Sequence, residues 1–240
     1  MFIRNFRSIH LPHLSRYNMD FQEDYVLHIG AEAKVWSGTF LGKQAIKKVR
    51  KPRSWRHPSL DHRLGTKRML NEAKLLIRLF NSGLDVPALL DVNLEDGYLI
   101  ETRLEGEELK AKLAGDYELE IKHNFLIETG KIIRKLHCLA ITHGDLSTNN
   151  ILIHNQKARL IDFGLAKVEY DLEGFGIDLH VIDEILSASN PDIEGAIDFV
   201  LQGYACENNQ SIEREGGNIP SSDEVIERLE EIRTRVRYHD

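Results

Sequence analysis

The chain has 240 residues, of which 42% are hydrophobic, so it can bury the core of one large domain or of two small lobes and is not a disordered chain. Its two cysteines, Cys138 and Cys206, exclude a disulfide framework, and no apolar run is long enough to cross a membrane, so we expect a cytoplasmic protein, or a nuclear one in a eukaryote. The net charge of −7 is uneven, because residues 43–74 contain eleven Lys or Arg against two acidic residues, a block that suits either a polyanionic partner or a solvated helix face.

The first hundred residues predict a flexible arm, residues 1–22, followed by a small strand-rich lobe, residues 23–103. Three strands are predicted within residues 24–49, where YVLHI, KVWSGTF and QAIKKV are separated by bends that contain glycine. VPALLDVN and GYLIETRL predict two more strands, joined by the turn EDG. Between the third and the fourth of these strands, apolar residues at helical spacing predict a helix over residues 66–80. Its apolar stripe consists of Met69, Leu70, Ala73, Leu76, Ile77 and Phe80.

From residue 104 to residue 240 the pattern becomes that of a mostly helical lobe. A long helix is predicted over residues 118–140, and NILIH and KARLID, separated by Asn-Gln, predict a β-hairpin. Further helices are predicted over residues 177–188, 192–203 and 222–236. The inward face of the long helix is expected to carry Ile121, Phe125, Ile132, Ile133 and Leu136. The order of elements indicates an α+β fold with two lobes.

Three side chains that carry oxygen flank the predicted hairpin, in the stretch HGDLSTNNILIHNQKARLIDFG. Asp145 lies in the turn before the first strand, Asn150 begins that strand, and Asp162 ends its partner. Because a tight hairpin brings its ends together, Asn150 and Asp162 are expected side by side, as two hard oxygen ligands for Mg²⁺. Asp145 can accept a proton or orient a hydroxyl beside them. Each residue alone is more often a turn former or a strand cap, but the combination favours a metal–nucleotide site.

This stretch resembles two segments of protein kinases. HGDLSTNN resembles the catalytic loop, with glycine in place of the usual arginine, and IDFG resembles the metal-binding segment. The resemblance implies a bilobal protein-kinase-like fold in which Asp145 is the catalytic aspartate, while Asn150 and Asp162 hold the Mg²⁺ of ATP.

A kinase also needs a lysine that contacts phosphate and a glutamate that fixes this lysine. QAIKKV offers Lys47 and Lys48, which face opposite sides of a strand, so only one of them can enter the cleft. We select Lys48, because its same-face neighbour Ile46 suits the cleft side. The helix offers Glu72 as the partner, since its acidic rival Asp61 precedes the predicted helix.

A narrower resemblance extends over about residues 26–204. GAEAKVW, KKVRKPRSWRHPSLDHRLGTKRMLNEAKLL, HGDLSTNN and IDFGLA together resemble the PRPK-type kinase family, which is the small kinase subunit of the KEOPS complex. The segment WRHPSLD is the most specific part, because general kinases have nothing like it at this place.

The family resemblance implies roles for five residues of the first lobe. Lys48 and Glu72 fall on the family's cleft lysine and on its partner. Glu32, within GAEA, is expected to approach the nucleotide. IETRLEG resembles the hinge, so backbone groups of Glu101 and Arg103 are expected to hold adenine.

The resemblance further implies a Mg-ATP-dependent atypical serine/threonine kinase and ATPase that supports the threonylcarbamoyladenosine modification at position 37 of tRNA. It implies the threonylcarbamoyl transferase subunit as a partner of the helical lobe and a small KEOPS subunit as a partner of the first lobe. tRNA is expected to contact residues 43–74 and the C-terminal arginines Arg233, Arg235 and Arg237. At that end the chain departs from the family, because it lacks the denser Arg, Gly and Lys cluster, and residues 205–222 resemble an insertion.

Other departures bear on activity. Gly144 stands where many kinases carry the arginine that gathers a phosphorylated activation loop, so no such switch is expected. The short segment between Gly164 and Asp178 leaves little platform for a peptide, and Ser147 replaces a lysine near the transferred phosphate, so we expect ATP hydrolysis to be the main output. Asp178 resembles the aspartate that braces the catalytic loop, although a helix N-cap is an equal alternative.

Three alternative functions share part of this pattern. A small-molecule phosphotransferase of the aminoglycoside or choline kinase type also carries HGDxxxxN, but IDFGLA and the short second half oppose it. A RIO-type kinase shares HGDLS, but it normally lacks the Phe-Gly pair after the metal aspartate. A binding scaffold with an inactive site is opposed by the intact set of cleft residues.

Overall fold

A computed structural model describes residues 20–30, 33–53, 55–190, 192–207 and 210–237 of the chain. Most of the predicted arm and the proposed nucleotide contact Glu32 lie outside the described residues. The described part forms two lobes, one built on a sheet and one mostly helical, and so confirms the predicted α+β class.

The first lobe is built on a five-stranded antiparallel sheet. Its strands are β1 Gln22–Ile29, β2 Ala33–Phe40, β3 Lys43–Arg50, β4 Leu89–Asn93 and β5 Tyr98–Thr102, in the order β1-β2-β3-β5-β4. The five strands predicted from the sequence are therefore all present. The β2–β3 connection turns at Leu41 and Gly42, with φ of 50° and 77°, which is the left-handed conformation that a two-residue hairpin turn requires.

One helix, α1 Pro58–Asn81, packs against this sheet. It begins at Pro58 rather than near residue 66, because proline is well accommodated in the first turn of a helix. The predicted apolar stripe is partly wrong, since Leu70, Ile77 and Phe80 are exposed. The buried face is rotated from the predicted one and includes Glu72, which is only 5% exposed.

The second lobe contains α2 Leu109–Ala114, α3 Leu119–His137, α4 Leu172–Ser189, α5 Ala196–Cys206 and α6 Ser222–Arg237. Its short strands are β6 Glu107–Glu108, β7 Ile141–Thr142, β8 Ile151–His154, β9 Lys157–Leu160, β10 Lys167–Val168, β11 Ile212–Arg214 and β12 Gly217–Ile219. The predicted long helices and the β8–β9 hairpin are present, whereas α2 and the β11–β12 hairpin lie in segments without a predicted element. Ile121, predicted to face inward on α3, is 40% exposed.

Helices α3 and α5 form the centre of the second lobe, and glycines let them approach closely. A Cβ atom at Gly130 would lie 1.9 Å from the Val200 carbonyl oxygen, and one at Gly203 would lie 1.9 Å from the Ile127 carbonyl oxygen. None of the helices in the described ranges combines the length and the apolar character needed to cross a bilayer.

Two antiparallel pairings position the loops between the lobes. At the foot of the β8–β9 hairpin, the Ile161 N–H donates to the Asn150 carbonyl oxygen at 3.0 Å, so the two ends of the hairpin lie side by side. Strand β10 pairs with β7, and the Glu169 N–H donates to the Ala140 carbonyl oxygen at 3.0 Å. The segment that follows the hairpin is thereby held against the second lobe.

Candidate active site

The alternation of side chains along β3 separates the two candidate lysines. Lys48 faces the cleft between the lobes, and Lys47 faces the opposite side, where its Nζ lies 3.6 Å from Glu23 Oε1. The structure therefore brings Lys48, and not Lys47, to residues of the second lobe.

Three carboxylates surround the Lys48 amine. Its Nζ lies 2.9 Å from Glu72 Oε1, 3.3 Å from Glu101 Oε1 and 3.2 Å from Asp162 Oδ1. Burial lowers the pKa of Lys48, but the carboxylates outweigh burial and raise the pKa well above its usual value. The amine is consequently a fixed positive charge at the point where α1, β5 and the end of the β8–β9 hairpin meet. Such a charge suits contact with the phosphates of a nucleotide.

Asp145 and Asn150 of the HGDLSTNN stretch and Asp162 of the IDFG stretch line one cleft. Asn150 Nδ2 donates to the Asp145 carbonyl oxygen at 2.9 Å and to Asp145 Oδ2 at 3.0 Å. With its amide nitrogen engaged in this way, Asn150 presents Oδ1 as a ligand atom, and Asp162 presents a carboxylate that is 51% exposed. Carboxylate and amide oxygens are the ligands that Mg²⁺ prefers, so this donor set fits that ion.

Asp162 adopts an unusual backbone conformation. Its φ is +64°, in the left-handed region that Asp tolerates better than most residues and that is frequent at functional sites. Lys48 lowers the pKa of Asp162, against the opposing effect of burial, so the carboxylate stays charged. The next residue, Phe163, is fully buried and packs on the His143 ring at a centroid distance of 5.0 Å. This packing fixes the turn that carries Asp162.

A buried aspartate on α4 holds the backbone of the catalytic loop. Asp178 accepts the His143 N–H at 2.6 Å and the Gly144 N–H at 2.8 Å, and His137 Nε2 lies 3.2 Å from its Oδ2. Burial would raise the pKa of Asp178, but these hydrogen bonds outweigh it and lower the pKa. The N-cap of α4 is Asp171, so of the two interpretations of Asp178 the structure favours the brace.

The hydrogen-bond network around Asp178 extends to residues 210–220, which belong to the predicted insertion. His137 Nδ1 accepts the Tyr204 hydroxyl at 2.8 Å, and the fully buried Arg134 donates to the Pro220 carbonyl oxygen at 3.0 Å and to Tyr204 at 3.4 Å. Residues 210–220 are therefore anchored in the lobe by the same network that holds the catalytic loop, which the sequence did not indicate.

Gly144 occupies a position where a side chain does not fit. Its φ is +78°, and a Cβ atom would lie 2.6 Å from the Leu165 carbonyl oxygen. Arginine cannot replace this glycine without a shift of the backbone.

The segment after Asp162 is short, because β10 already pairs with β7 at Lys167 and α4 begins at Leu172.

The backbone at the predicted hinge, Glu101 and Arg103, is partly engaged within the first lobe, and its contact with adenine stays a prediction. The Arg103 N–H donates to the Gln44 carbonyl oxygen at 3.1 Å, and its guanidinium donates to Ser37 Oγ at 2.9 Å. The Glu101 backbone lies within the sheet, opposite Ile46 of β3. The Glu101 side chain, which was not predicted to take part in the site, points to Lys48. Its alternation along β5 would have indicated this, since Glu101 and the buried Leu99 share a face.

The cleft between the lobes has a volume of about 850 Å³. Val35 and Ile46 of the first lobe and Leu152 and Ile161 of the second lobe line it with apolar side chains. The Lys48 amine, the Asn150 amide and the carboxylates of Asp145 and Asp162 lie in the same cleft. The cleft can therefore take a flat ring between apolar walls and a charged group beside it.

Comparisons with known proteins agree with this geometry. The model of the lipopolysaccharide kinase (Kdo/WaaP) family matches residues 22–170, more than half of the chain. The chain is 32% identical over 218 residues to the KEOPS complex subunit Bud32 of Pyrococcus abyssi. The aligned region covers 88% of this chain and 94% of that protein.

A second relative is a longer protein. The chain is 35% identical over 194 residues to a probable bifunctional tRNA threonylcarbamoyladenosine biosynthesis protein of Methanospirillum hungatei, over 81% of this chain and 33% of that protein. The chain thus spans about a third of the length of such bifunctional relatives.

A solved structure supports the fold. The Rio2 kinase of Chaetomium thermophilum, in its ADP/Mg²⁺-phosphoaspartate complex, superposes with a TM-score of 0.62 and 13% identity, over 95% of this chain and 75% of that chain. At this identity the likeness concerns the fold alone, and it confirms the predicted bilobal kinase-like architecture.

Proposed function

Because this chain belongs to the family of the KEOPS subunit Bud32, and to the kinase family of the Kdo/WaaP model, we propose that it is a Mg-ATP-dependent atypical serine/threonine kinase and ATPase. In this proposal it acts as a KEOPS subunit in the threonylcarbamoyladenosine modification of tRNA. The observation that carries the proposal is the convergence of Glu72 and Asp162 on the Lys48 amine, within 3.2 Å, from two different lobes. The alternative phosphotransferases have less support, because relatives that cover 81% and 88% of the chain bear tRNA-modification or KEOPS names.

Each cleft residue has a part in this function. Lys48 contacts the ATP phosphates, and Glu72 holds its amine in place. Asn150 Oδ1 and the Asp162 carboxylate hold Mg²⁺, which neutralises negative charge on the phosphates when it is bound. Asp145 accepts the proton of the attacking hydroxyl or water, with its carboxylate oriented by the Asn150 amide at 3.0 Å. Hinge backbone groups near Glu101 and Arg103, and the Glu32 loop, complete the nucleotide site.

The two lobes serve different protein partners in this proposal. The small KEOPS subunit binds the first lobe, and the threonylcarbamoyl transferase subunit binds the second. The exposed side chains of Leu70, Ile77 and Phe80 on α1 support a contact on the first lobe, because neighbouring exposed apolar residues are typical of protein interfaces.

tRNA is the third proposed partner, and the basic residues of the first lobe give it the better support. Four arginines of the basic block line a pocket of about 520 Å³ between β3, α1 and the β4–β5 turn: Arg50, Arg53, Arg56 and Arg68. Ion pairs occur in both basic regions, since Arg56 pairs with Asp61 at 3.4 Å, Arg233 with Asp183 at 2.7 Å and Arg235 with Glu173 at 3.1 Å.

ATP turnover tests the proposal directly. The purified chain is assayed with Mg-ATP in the presence and absence of tRNA and a transferase subunit, as wild type, as Asp145→Asn and as the control Asp171→Asn on an exposed helix cap. We expect Asp145→Asn to lose turnover by about 100-fold or more and the control to retain it. No turnover by the wild type with all partners present would refute the function, and strong peptide phosphorylation without partners would contradict hydrolysis as the main output.

A further inference from the structure

Glu101 places a carboxylate at the inner end of the nucleotide cleft. The residue is the last but one of β5, it is 3% exposed, and it lines the cleft. One oxygen, Oε1, lies 3.3 Å from Lys48 Nζ. Within the described ranges, the other oxygen, Oε2, is buried and has no hydrogen-bond partner.

A buried carboxylate oxygen without a donor is costly. Burial raises the pKa of Glu101 to about 7, against the opposing effect of Lys48. Its neighbours on β5, Leu99 and Ile100, are fully buried apolar residues, so an apolar side chain would fit this part of the sheet. An acceptor kept at such a place suits a ligand that brings its own hydrogen-bond donor.

The position of Glu101 in the sheet indicates which part of a nucleotide it meets. It lies opposite Ile46 on the neighbouring strand, and Ile46 forms one apolar wall of the cleft. Lys48, two residues further along β3, shares this face with Ile46. A base that stacks on Ile46 while its phosphates reach Lys48 and Asp162 therefore presents a ring edge to Glu101. On adenine the donor available at a ring edge is the 6-amino group.

We infer that the Glu101 carboxylate accepts a hydrogen bond from the 6-amino group of the nucleobase and thereby makes the cleft selective for 6-aminopurine nucleotides. The inference rests on the proposed function, because it requires a nucleotide in this cleft. It assigns a specificity role to the side chain of a residue that the sequence singled out only for its backbone. Above pH 7, where Glu101 is ionised, a 6-oxopurine would bring an oxygen against the carboxylate and be repelled.

The test compares two ligands that differ only in the 6-amino group, namely ATP and purine riboside triphosphate. Dissociation constants with Mg²⁺ are measured for the wild type, Glu101→Met, Glu101→Gln and the control Glu105→Gln, whose exposed carboxyl lies outside the cleft. Any effect of the variants on Lys48 alters the binding of both nucleotides, so the ratio of the two constants isolates contact with the base.

The wild type and Glu105→Gln should prefer ATP by about 10- to 100-fold, the loss expected for an unpaired buried acceptor. Glu101→Met should bring the ratio close to one, and the nearly isosteric Glu101→Gln should give an intermediate ratio. A wild type without preference, or a preference that survives in both Glu101 variants, would overturn the inference while leaving the nucleotide site intact. A wild type that binds neither ligand would overturn the proposed nucleotide site itself, and this inference with it.

Discussion

Replacement of Asp178 by asparagine should destabilise the catalytic loop from a distance. The buried Asp178 accepts two backbone N–H groups, a buried one of His143 at 2.6 Å and a partly buried one of Gly144 at 2.8 Å. Asparagine offers one acceptor oxygen, so its amide group must face one of these donors and leave it unpaired. An unpaired buried donor costs about 1–3 kcal/mol, and the remaining bond loses its charge assistance, so we expect a total loss of about 2–4 kcal/mol. This is a large share of a domain stability on the order of 5–15 kcal/mol.

Urea unfolding and ATP turnover, measured on the same preparations, test this reasoning. The matched control is Asp171→Ala on the same helix, where an exposed N-cap accepts a backbone N–H at 3.0 Å. The control should lose about 1 kcal/mol and keep wild-type turnover. Asp178→Asn should lose more stability and also lose turnover, because the loop that carries Asp145 is no longer held. If Asp178→Asn unfolds within about 0.5 kcal/mol of the wild type and turns over ATP normally, the brace has no such role.

Three further predictions concern single positions in or near the cleft. Gly144→Ala should lose more unfolding free energy than Gly42→Ala, because both have φ near +78° but only the added methyl at residue 144 meets a carbonyl oxygen, at 2.6 Å; equal losses in urea unfolding would contradict the clash. Glu101 has a pKa of about 7 in the fold against 4.5 as its ordinary value, so its proton is held more tightly when folded, and this stability is lost as pH rises through 7. Relative to Glu101→Gln, the wild type should lose up to about 3 kcal/mol between pH 5 and 8 by urea unfolding, and parallel pH profiles would refute this. Lys48→Met should lower ATP turnover by about 100-fold or more while Lys47→Met leaves it unchanged, and similar losses in both would show that the cleft face of β3 is misassigned.

The features predicted correctly depend on short-range patterns. The hairpin after the catalytic loop follows from two apolar runs separated by two turn residues, and its closure brings Asn150 and Asp162 to one cleft. The two-residue period of a strand separates Lys47 from Lys48, and Ile46 on the face of Lys48 together with the family register indicates that Lys48 faces the cleft. In each case the local sequence determines on which side of its strand or turn a side chain lies.

The features that were missed depend on contacts between distant segments. The apolar stripe of α1 is rotated from the predicted one because the buried face must also carry Glu72 to Lys48, which leaves Ile77 and Phe80 exposed. Alternation along β5 places Glu101 on the face of the buried Leu99, but its approach to Lys48 also depends on the register in which β5 pairs with β3. The strands β11 and β12 lie in a polar segment, and it is Arg134, buried in another helix, that anchors this segment to the lobe.

The most direct measurement is calorimetric titration of ATP into the protein with and without Mg²⁺. The wild type should bind ATP at least about tenfold more tightly with Mg²⁺, because Asn150 and Asp162 supply oxygen ligands beside the phosphates. Asp145→Asn should keep this gain even though it loses turnover, and Asp162→Asn should lose it. An ATP affinity that Mg²⁺ does not change, or a gain that survives in Asp162→Asn, would contradict a metal–nucleotide site at the end of the hairpin.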